Sequence, residues 1–473
     1  MRRACLPGNR CLGRYPLGLI VVGALVLGEL IGLLVVNRLD PSPSTRSGSS
    51  PPSSPQQRRA GSAAHEDDEV TPAGGARGVH ILDLLARRTP FKFDEDATEL
   101  DASRKYKVAR SFLSPDAEFG SPDAGEVCLA TQGSLDRLHT LVELAQLWNG
   151  PLSLAVFVPN AAQFQALRAY LALLRSCSEP VRANVRVDLV FPVGVNVTRA
   201  VPWSTRGSGG GPEFSCAGHA SLLRALQASE GARVVRGSVK QMLYPQNHLR
   251  NVARDGCSPQ KHFFVVDIDV MPKPGLWDEL SDFLASANSG RRPPCAKCVF
   301  VVPTYEAREM VPVPRTKREL LAMVRRREAR PFHEKSFVFN QYATNHAAWE
   351  ALPHTEDGLH AAYRVQHYEF FYEPFYVAGK EVPRYDERFV GYGFTRNTQV
   401  YETHAAGFEF WVLDEAFALH RGMQNHRARG YWRERQNALN QRKLASFKRD
   451  VKRKYQVTAT KTTLPPATKP LLL

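Results

Sequence analysis

The chain has 473 residues, is 43% hydrophobic and carries a formal net charge of +15. That apolar share excludes a wholly disordered protein and can core one large domain or two fused ones. The excess of positive charge suits a polyanionic partner, and the compartment implied by the N-terminus excludes nucleic acid from that role.

Residues 17–36 are apolar except for four glycines and Glu29. Twenty residues rising about 1.5 Å each match the ~30 Å hydrocarbon core of a bilayer. Arg2, Arg3, Arg10 and Arg14 precede this run, and Arg38 follows it. The positive-inside rule then leaves residues 1–16 in the cytosol and the rest in a lumen. A cleaved signal peptide would have an apolar core of about 7–15 residues, so the run is read as an uncleaved signal-anchor. Residues 41–77 are rich in Ser, Pro and Gly around the acidic patch Glu66-Asp67-Asp68-Glu69. This composition predicts a flexible stem, taken to extend over residues 37–100. Tail, single span, stem and lumenal domain (residues 101–457), with a short tail at 458–473, form the type II layout of Golgi membrane enzymes. Many sheddable surface proteins share it, so the layout by itself fixes only the secretory pathway.

Cys5 and Cys11 precede the apolar run, and Cys128, Cys177, Cys216, Cys257, Cys295 and Cys298 follow it. An oxidising lumen bridges some of the six, and the sequence does not choose among their pairings. Cys295-Ala296-Lys297-Cys298 has no second C-x-x-C, so a local loop or disulfide is expected there rather than zinc. Asn196-Val197-Thr198 is an N-glycosylation sequon and places Asn196 at the surface.

From residue 127 the pattern alternates. Residues 127–131 read as a buried strand, and Ser134 as the cap of a helix whose apolar positions run from Leu135 to Trp148. Gly150-Pro151 ends that helix; a strand at 152–158, a helix at 161–174 and a strand at 185–191 follow. This order predicts an α/β, doubly wound sheet. A helical stretch around 249–253 leads into Phe263-Phe264-Val265-Val266-Asp267-Ile268-Asp269-Val270, and further strands fall at 299–303 and 408–413. In a regular strand Asp267 and Asp269 would share a face. Two carboxylates so close call for a cation, and a hard divalent ion that also grips phosphate meets that need. Ligands of open α/β sheets bind at the carboxyl ends of strands, which is where the pair falls. No G-x-G-x-x-G or Walker loop is present. Eleven basic residues between Arg427 and Lys454 read as a solvated helix face, or as a surface drawing a polyanionic glycan or an anionic membrane.

Several motifs stand in one order. They are Tyr244-Pro245-Gln246-Asn247-His248-Leu249-Arg250-Asn251-Val252-Ala253, then Asp267/Asp269 with Gly275-Leu276-Trp277, then Glu373-Pro374-Phe375-Tyr376-Val377-Ala378-Gly379. Val382-Pro383, Asp386-Glu387-Arg388-Phe389, Tyr392-Gly393-Phe394 and Ala418-Leu419-His420-Arg421-Gly422 complete the set. Over residues 127–455 the chain resembles glycosyltransferase family 49 and is similar, more distantly, to the glucuronyltransferase half of LARGE-type enzymes. It departs in its longer stem, a glycine-rich insert at 207–211 and its cysteine pattern.

The resemblance implies a GT-A type fold with a mixed sheet. It implies inverting, Mn2+-dependent transfer of glucuronate from UDP-glucuronate, in beta-1,4 linkage, to a xylose on the O-mannosyl glycan of alpha-dystroglycan. The product would be a primer for a LARGE-type transferase, a possible partner. Asp267, Asp269 and, through its motif, His420 are the expected metal ligands. Inversion requires one base at the acceptor hydroxyl; Asp386 is the first candidate, then Glu402, then Glu387. Ala130, Thr131, Asn247, Arg250 and Asn251 are assigned to the donor. Arg330, Arg384 and Arg388 are candidates for its carboxylate, because a guanidinium matches a planar carboxylate. Glu373, Tyr376 and Tyr392 are assigned to the acceptor. Two other readings stay open: an N-acetylglucosaminyltransferase acting on poly-N-acetyllactosamine, and a non-catalytic glycan-binding or chaperone subunit.

Overall fold

A computed structural model describes residues 91–456, except 92, 120–124, 199–215, 220–222, 225–242, 287–289 and 426–430. The expected cytosolic tail, the span at 17–36 and most of the stem lie outside the described residues. No helix among the described residues is long and apolar enough to cross a membrane. The chain divides into two units, Met1–Gly75 and Ala76–Leu473, and the described residues belong to the second.

The first strands are β1 (Glu99–Leu100), β2 (Tyr106–Leu113), β3 (Val127–Ser134), β4 (Leu152–Phe157) and β5 (Val185–Pro192). The sequence places residues 91–100 in the stem, but they pack against the domain. Phe91 stacks on Phe112 at 4.9 Å, Phe93 meets Phe164 at 4.9 Å, and β1 pairs with β2. Every residue of β4 is buried, as a strand covered on both faces requires. The single helix expected over 135–148 is split. A 3-10 segment, Leu135–Thr140, precedes α1 (Leu141–Trp148), and Ser134 makes no cap bond to the helix. In α2 (Ala161–Cys177) the Asn160 side chain accepts from the Gln163 amide and caps the first turn.

The chain continues through α3 (Gln246–Gly256), β6 (His262–Val265), β7 (Val270–Pro272), α4 (Leu276–Ala285), β8 (Cys298–Val302), β9 (Thr304–Ala307) and β10 (Ala329–Pro331). It ends with β11 (Ala361–Arg364), β12 (Phe375–Gly379), α5 (Arg396–Ala405), β13 (Glu409–Leu413), β14 (Ala418–Arg421) and α6 (Tyr431–Tyr455). The large sheet runs β1-β2-β5-β4-β3-β6-β12-β8-β13-β11. β3 is parallel to β4 and β6, and β4 to β5, as the alternation predicts. Beyond β6 the sheet becomes mixed, because β12 inserts antiparallel to both β6 and β8.

A small sheet, β10-β9-β14-β7, stands beside the large one. The chain passes from β6 in the large sheet to β7 in the small one through Val266–Asp269. The Val270 amide donates to the Asp267 carbonyl at 2.9 Å and closes that turn. Asp267 and Asp269 therefore lie in a turn between sheets and not on one face of a strand, which corrects the strand expectation.

Cys128 bridges to Cys257, tying β3 to the end of α3, and Cys177 bridges to Cys216. Cys295 pairs with Cys298 as the expected local link. The basic α6 is not wholly solvated. Its Phe447 and Val451 form a small core with Phe389, and Asn440 Nδ2 donates to the carbonyls of Val390, Tyr392 and Gly393. Gly391 and Gly393 take φ of 81° and 89°, values that L side chains rarely adopt, so the loop can turn beneath α6.

Candidate active site

The turn between the sheets organises the site. β14 pairs with β7 so that His420 lies opposite Val270, next to Asp269. His420 Nε2 stands 3.6 Å from Asp269 Oδ2. Its Nδ1 faces the Gly422 carbonyl at 3.1 Å, a contact that fixes the proton on Nδ1 and presents Nε2 to the carboxylate. Burial lowers the imidazole pKa, but the hydrogen bond and charge of Asp269 outweigh it and leave the pKa raised. A carboxylate oxygen beside an imidazole nitrogen is a donor set that fits a divalent cation such as Mn2+. Arg137 Nη1 lies 3.9 Å from the same Asp269 oxygen, with the arginine side chain 56% exposed.

Asp267 has different neighbours. Its Oδ1 accepts from Arg250 Nη2 at 2.9 Å, Arg396 Nη2 at 3.0 Å and Gln132 Nε2 at 3.5 Å. Both arginines are buried. Burial would push the Asp267 carboxyl up, but Arg396 and then Arg250 outweigh it and hold the group well below the usual carboxylate range. Asp267 is thus ionised at any working pH. All three contacts fall on Oδ1, so Oδ2 can also serve a cation. Gln132 in turn accepts from the Tyr244 hydroxyl.

Glu373 precedes β12. Its Oε1 accepts from the Asn397 amide at 3.2 Å, and its Oε2 from Asn340 Nδ2. Burial raises its pKa by more than Arg396 and Arg250 lower it. Beside it a groove of about 520 Å³ is lined by Phe332, Gln341, Tyr342, Tyr363 and Glu369. The Phe332 ring reaches His420, with centroids 5.1 Å apart. A larger cavity, about 670 Å³, includes Glu143, Val313 and Arg421, and there Arg421 is bonded to Glu143 and to the carbonyls of Glu309 and Val311.

The remaining expected residues are placed as follows. Ala130 and Thr131 are fully buried, and Thr131 Oγ1 donates to the Val266 carbonyl at 3.1 Å. Asn247 Nδ2 donates to the Asp386 carbonyl at 2.8 Å, and Asn251 bonds Tyr385 and Glu387, so both brace the loop after β12. Three arginines already hold carboxylates: Arg330 on Glu306, Arg384 on Asp255 and Arg388 on Asp386 and Asp450. Glu402 Oε1 accepts from Lys454 and the Tyr455 hydroxyl, where α5 meets α6. Tyr376 is buried with its hydroxyl on Gln399. Tyr392 lies beside Trp432, its ring 5.1 Å beneath the Arg433 guanidinium. Asn196 is exposed, as a sequon requires.

A second group, Asp101, His248 and Glu387, can hold a metal ion. Residues two apart on a helix point about 200° from each other, so His248 lies across α3 from Arg250 and the D-x-D turn. Burial, outweighing Glu387 and Asp101, lowers the His248 pKa and keeps its ring neutral. Asp101 also accepts from the amides of Ser103, Lys105 and Tyr106, so it caps its own turn as well. The sequence reading missed Arg137, Arg396, Gln132 and Asp101, none of which stands out by type or spacing.

A family model described as a glycosyl-transferase for dystroglycan matches residues 126–456. The chain is 35% identical over 363 residues to the beta-1,4-glucuronyltransferase 1 of Homo sapiens, covering 75% of this chain and 81% of that protein. It is 30% identical over 362 residues to the beta-1,4-glucuronyltransferase 1 of Danio rerio, with the same coverage. It is also 30% identical over 348 residues to the xylosyl- and glucuronyltransferase LARGE2 of Rattus norvegicus, covering 72% of this chain and 41% of that protein.

Proposed function

The chain belongs to this family of glycosyl-transferases for dystroglycan, and from that premise we propose that it moves glucuronate from UDP-glucuronate onto a xylose of the alpha-dystroglycan O-mannosyl glycan, in beta-1,4 linkage and with inversion. The observation that carries this reading is the turn at Asp267–Asp269. There two buried arginines hold one carboxylate, and His420 stands beside the other.

Asp269 and His420 would hold a divalent ion. When bound, such an ion, Mn2+ in this reading, neutralises charge on the departing diphosphate. Arg250 and Arg396 fix Asp267, so that the turn needs no reorganisation when donor arrives. Arg137, half-exposed at the rim, is the guanidinium available to the donor's phosphates or carboxylate. The aromatic groove beside Glu373 suits the acceptor sugar. We place the enzyme in the Golgi membrane as a type II protein, on the strength of the apolar run at 17–36, the exposed sequon and the disulfides.

The test is a donor panel with purified protein, Mn2+ and a beta-xyloside acceptor. UDP-glucuronate should be transferred well above UDP-glucose, UDP-xylose or UDP-N-acetylglucosamine. If UDP-N-acetylglucosamine on a galactose-terminated acceptor is the best pair, the glucuronyl reading fails.

A further inference from the structure

We infer that Glu373 is the catalytic base that takes the proton of the acceptor hydroxyl. The inference rests on the transferase reading above but not on which sugar is transferred. Its first support is position. β12 pairs antiparallel with β6, Val377 opposite Phe264. Before β12, Glu373 Oε1 accepts from the Asn397 amide at 3.2 Å, while the adjacent Arg396 bonds Asp267 Oδ1 at 3.0 Å, so the first turn of α5 joins Glu373 to the D-x-D turn.

Its second support is the fate of the neighbouring carboxylates. Asp267 is bonded to two arginines, Glu306 to Arg330, Asp386 to Arg388, and Glu402 to Lys454. A carboxylate held by a cation is a weak base. Of the groove's Glu369 and its neighbour Glu373, it is Glu373 that is bonded to α5 next to Arg396. Glu373 accepts from neutral amides, Asn340 and Asn397, and among the described residues it has no ion pair within bonding distance. Arg250 of α3 and Arg396 of α5 act on it only at longer range, against Asp267, and Tyr368 is the other titratable group that feels it. Its side chain is part-buried, so a substrate hydroxyl can reach it.

Its third support is the groove. The Glu373 amide donates to the Asn340 carbonyl at 2.8 Å, and Gln341 Nε2 donates to the Glu373 carbonyl at 3.0 Å. Gln341 also lines the 520 Å³ groove with Tyr342 and Phe332. The groove thus adjoins Glu373 through Gln341 and reaches His420 through Phe332, the centroids of these two rings being 5.1 Å apart. In the step, the carboxylate removes the hydroxyl proton as the acceptor oxygen bonds the anomeric carbon. The bond from that carbon to the β-phosphate oxygen breaks, its electron pair leaves with UDP, and the proton passes later to solvent.

The experiment compares Glu373→Gln, Glu373→Ala, Glu373→Asp and Asp386→Asn, each assayed with the best donor from the panel. UDP affinity is measured separately by calorimetry. Glu373→Gln should lower kcat by about 10²–10⁴-fold with UDP affinity nearly unchanged. Added formate or azide should restore part of the rate to Glu373→Ala. Glu373→Asp, with its carboxylate drawn back by one methylene, should keep partial rate and the acidic limb of the pH profile. That limb arises because the base must be ionised, so wild-type rate falls as pH drops through the raised Glu373 value. Near-native turnover by Glu373→Gln overturns the assignment. So does an equal loss of UDP affinity without rescue, or a dead Asp386→Asn beside an active Glu373→Gln. A wild-type preference for another UDP-sugar overturns the glucuronate reading and leaves the base readable.

Discussion

Asp267→Asn should destabilise the domain, whereas Asp269→Asn should not. Sequence alone gives the two aspartates one role, service to an ion, and predicts that either could be neutralised without harm to the fold. The structure separates them. Asp267 Oδ1 is the shared acceptor of Arg250 at 2.9 Å and Arg396 at 3.0 Å, and these arginines are 2% and 5% exposed. Removing one partner of a buried pair typically costs about 3–5 kcal/mol, because a charge is left without compensation. The Asp267 side chain keeps 30% of its exposure, so water can screen part of the loss, and about 2–4 kcal/mol is the expectation. A domain on the order of 350 residues has an unfolding entropy near 0.7 kcal/mol/K, so the midpoint should fall by about 3–6 °C. The pH dependence has a definite sign. The folded-state pKa is depressed, so the pair's stabilisation is present above the unfolded value of about 4 and is lost as pH falls through the lower folded value. Differential scanning fluorimetry from pH 7 to pH 3 should show a gap between wild type and Asp267→Asn that narrows only below about pH 4. If Asp267→Asn melts within 1 °C of wild type at pH 7, or if Asp269→Asn melts equally low, the paired-arginine argument is refuted.

Other expectations are more local. Asp269→Asn and His420→Ala should each lose most transfer while melting near wild type, and a titration of Mn2+ against intrinsic fluorescence should give a weaker midpoint for both. Cys128→Ser, which opens a bridge joining residues 129 apart, should cost about 2–5 kcal/mol and lower secretion, read by thermal melts and yield. Phe447→Ala, at a side chain 1% exposed, should cost about 3–5 kcal/mol as cores generally do and loosen the 390–393 loop, so limited proteolysis should cut there first.

The first half of the described domain could be read in the sequence because its signals are local. β3 opens on the apolar run Val127–Ala130, β4 is apolar but for Ser153, and β5 is apolar but for Arg186 and Asp188. α2 is an amphipathic run, and Gly150-Pro151 punctuates the helix before it. The small sheet could not be read that way. β7, β9, β10 and β14 hold three or four residues each, and their pairing joins segments up to about 150 positions apart. No window of residues carries such a pairing. The D-x-D turn followed the same course: its apolar run was visible, but the change of sheets after Val265 depends on where β14 returns. The start of the domain was misjudged for another reason. Phe91 and Phe93 lie in a polar stretch, and it is Phe112, Phe164 and Phe191, further along the chain, that give them a surface to cover.

The site divides along the same line. Asp267, Asp269 and His420 stand out in the sequence because residue type and motif point to a cation, and of these the fold brings Asp269 and His420 to 3.6 Å. The arginines were assigned less well, since a guanidinium shows its purpose only through its partner. Arg330, Arg384 and Arg388 have carboxylate partners of their own, whereas Arg250 and Arg396 converge on Asp267. Two fixed positive charges at one carboxylate have a consequence for the donor. They neutralise Asp267 before any ligand arrives, so the turn does not confront a diphosphate with two bare carboxylates. Within the turn, Asp269 then carries the charge that no arginine neutralises at bonding distance, balanced in part by His420 and Arg137. A site arranged in this way can accept an anionic sugar nucleotide without first being flooded by counter-ions. Neutral sugar nucleotides share the diphosphate but not the carboxylate, so this electrostatic arrangement bears on donor choice as well as on catalysis.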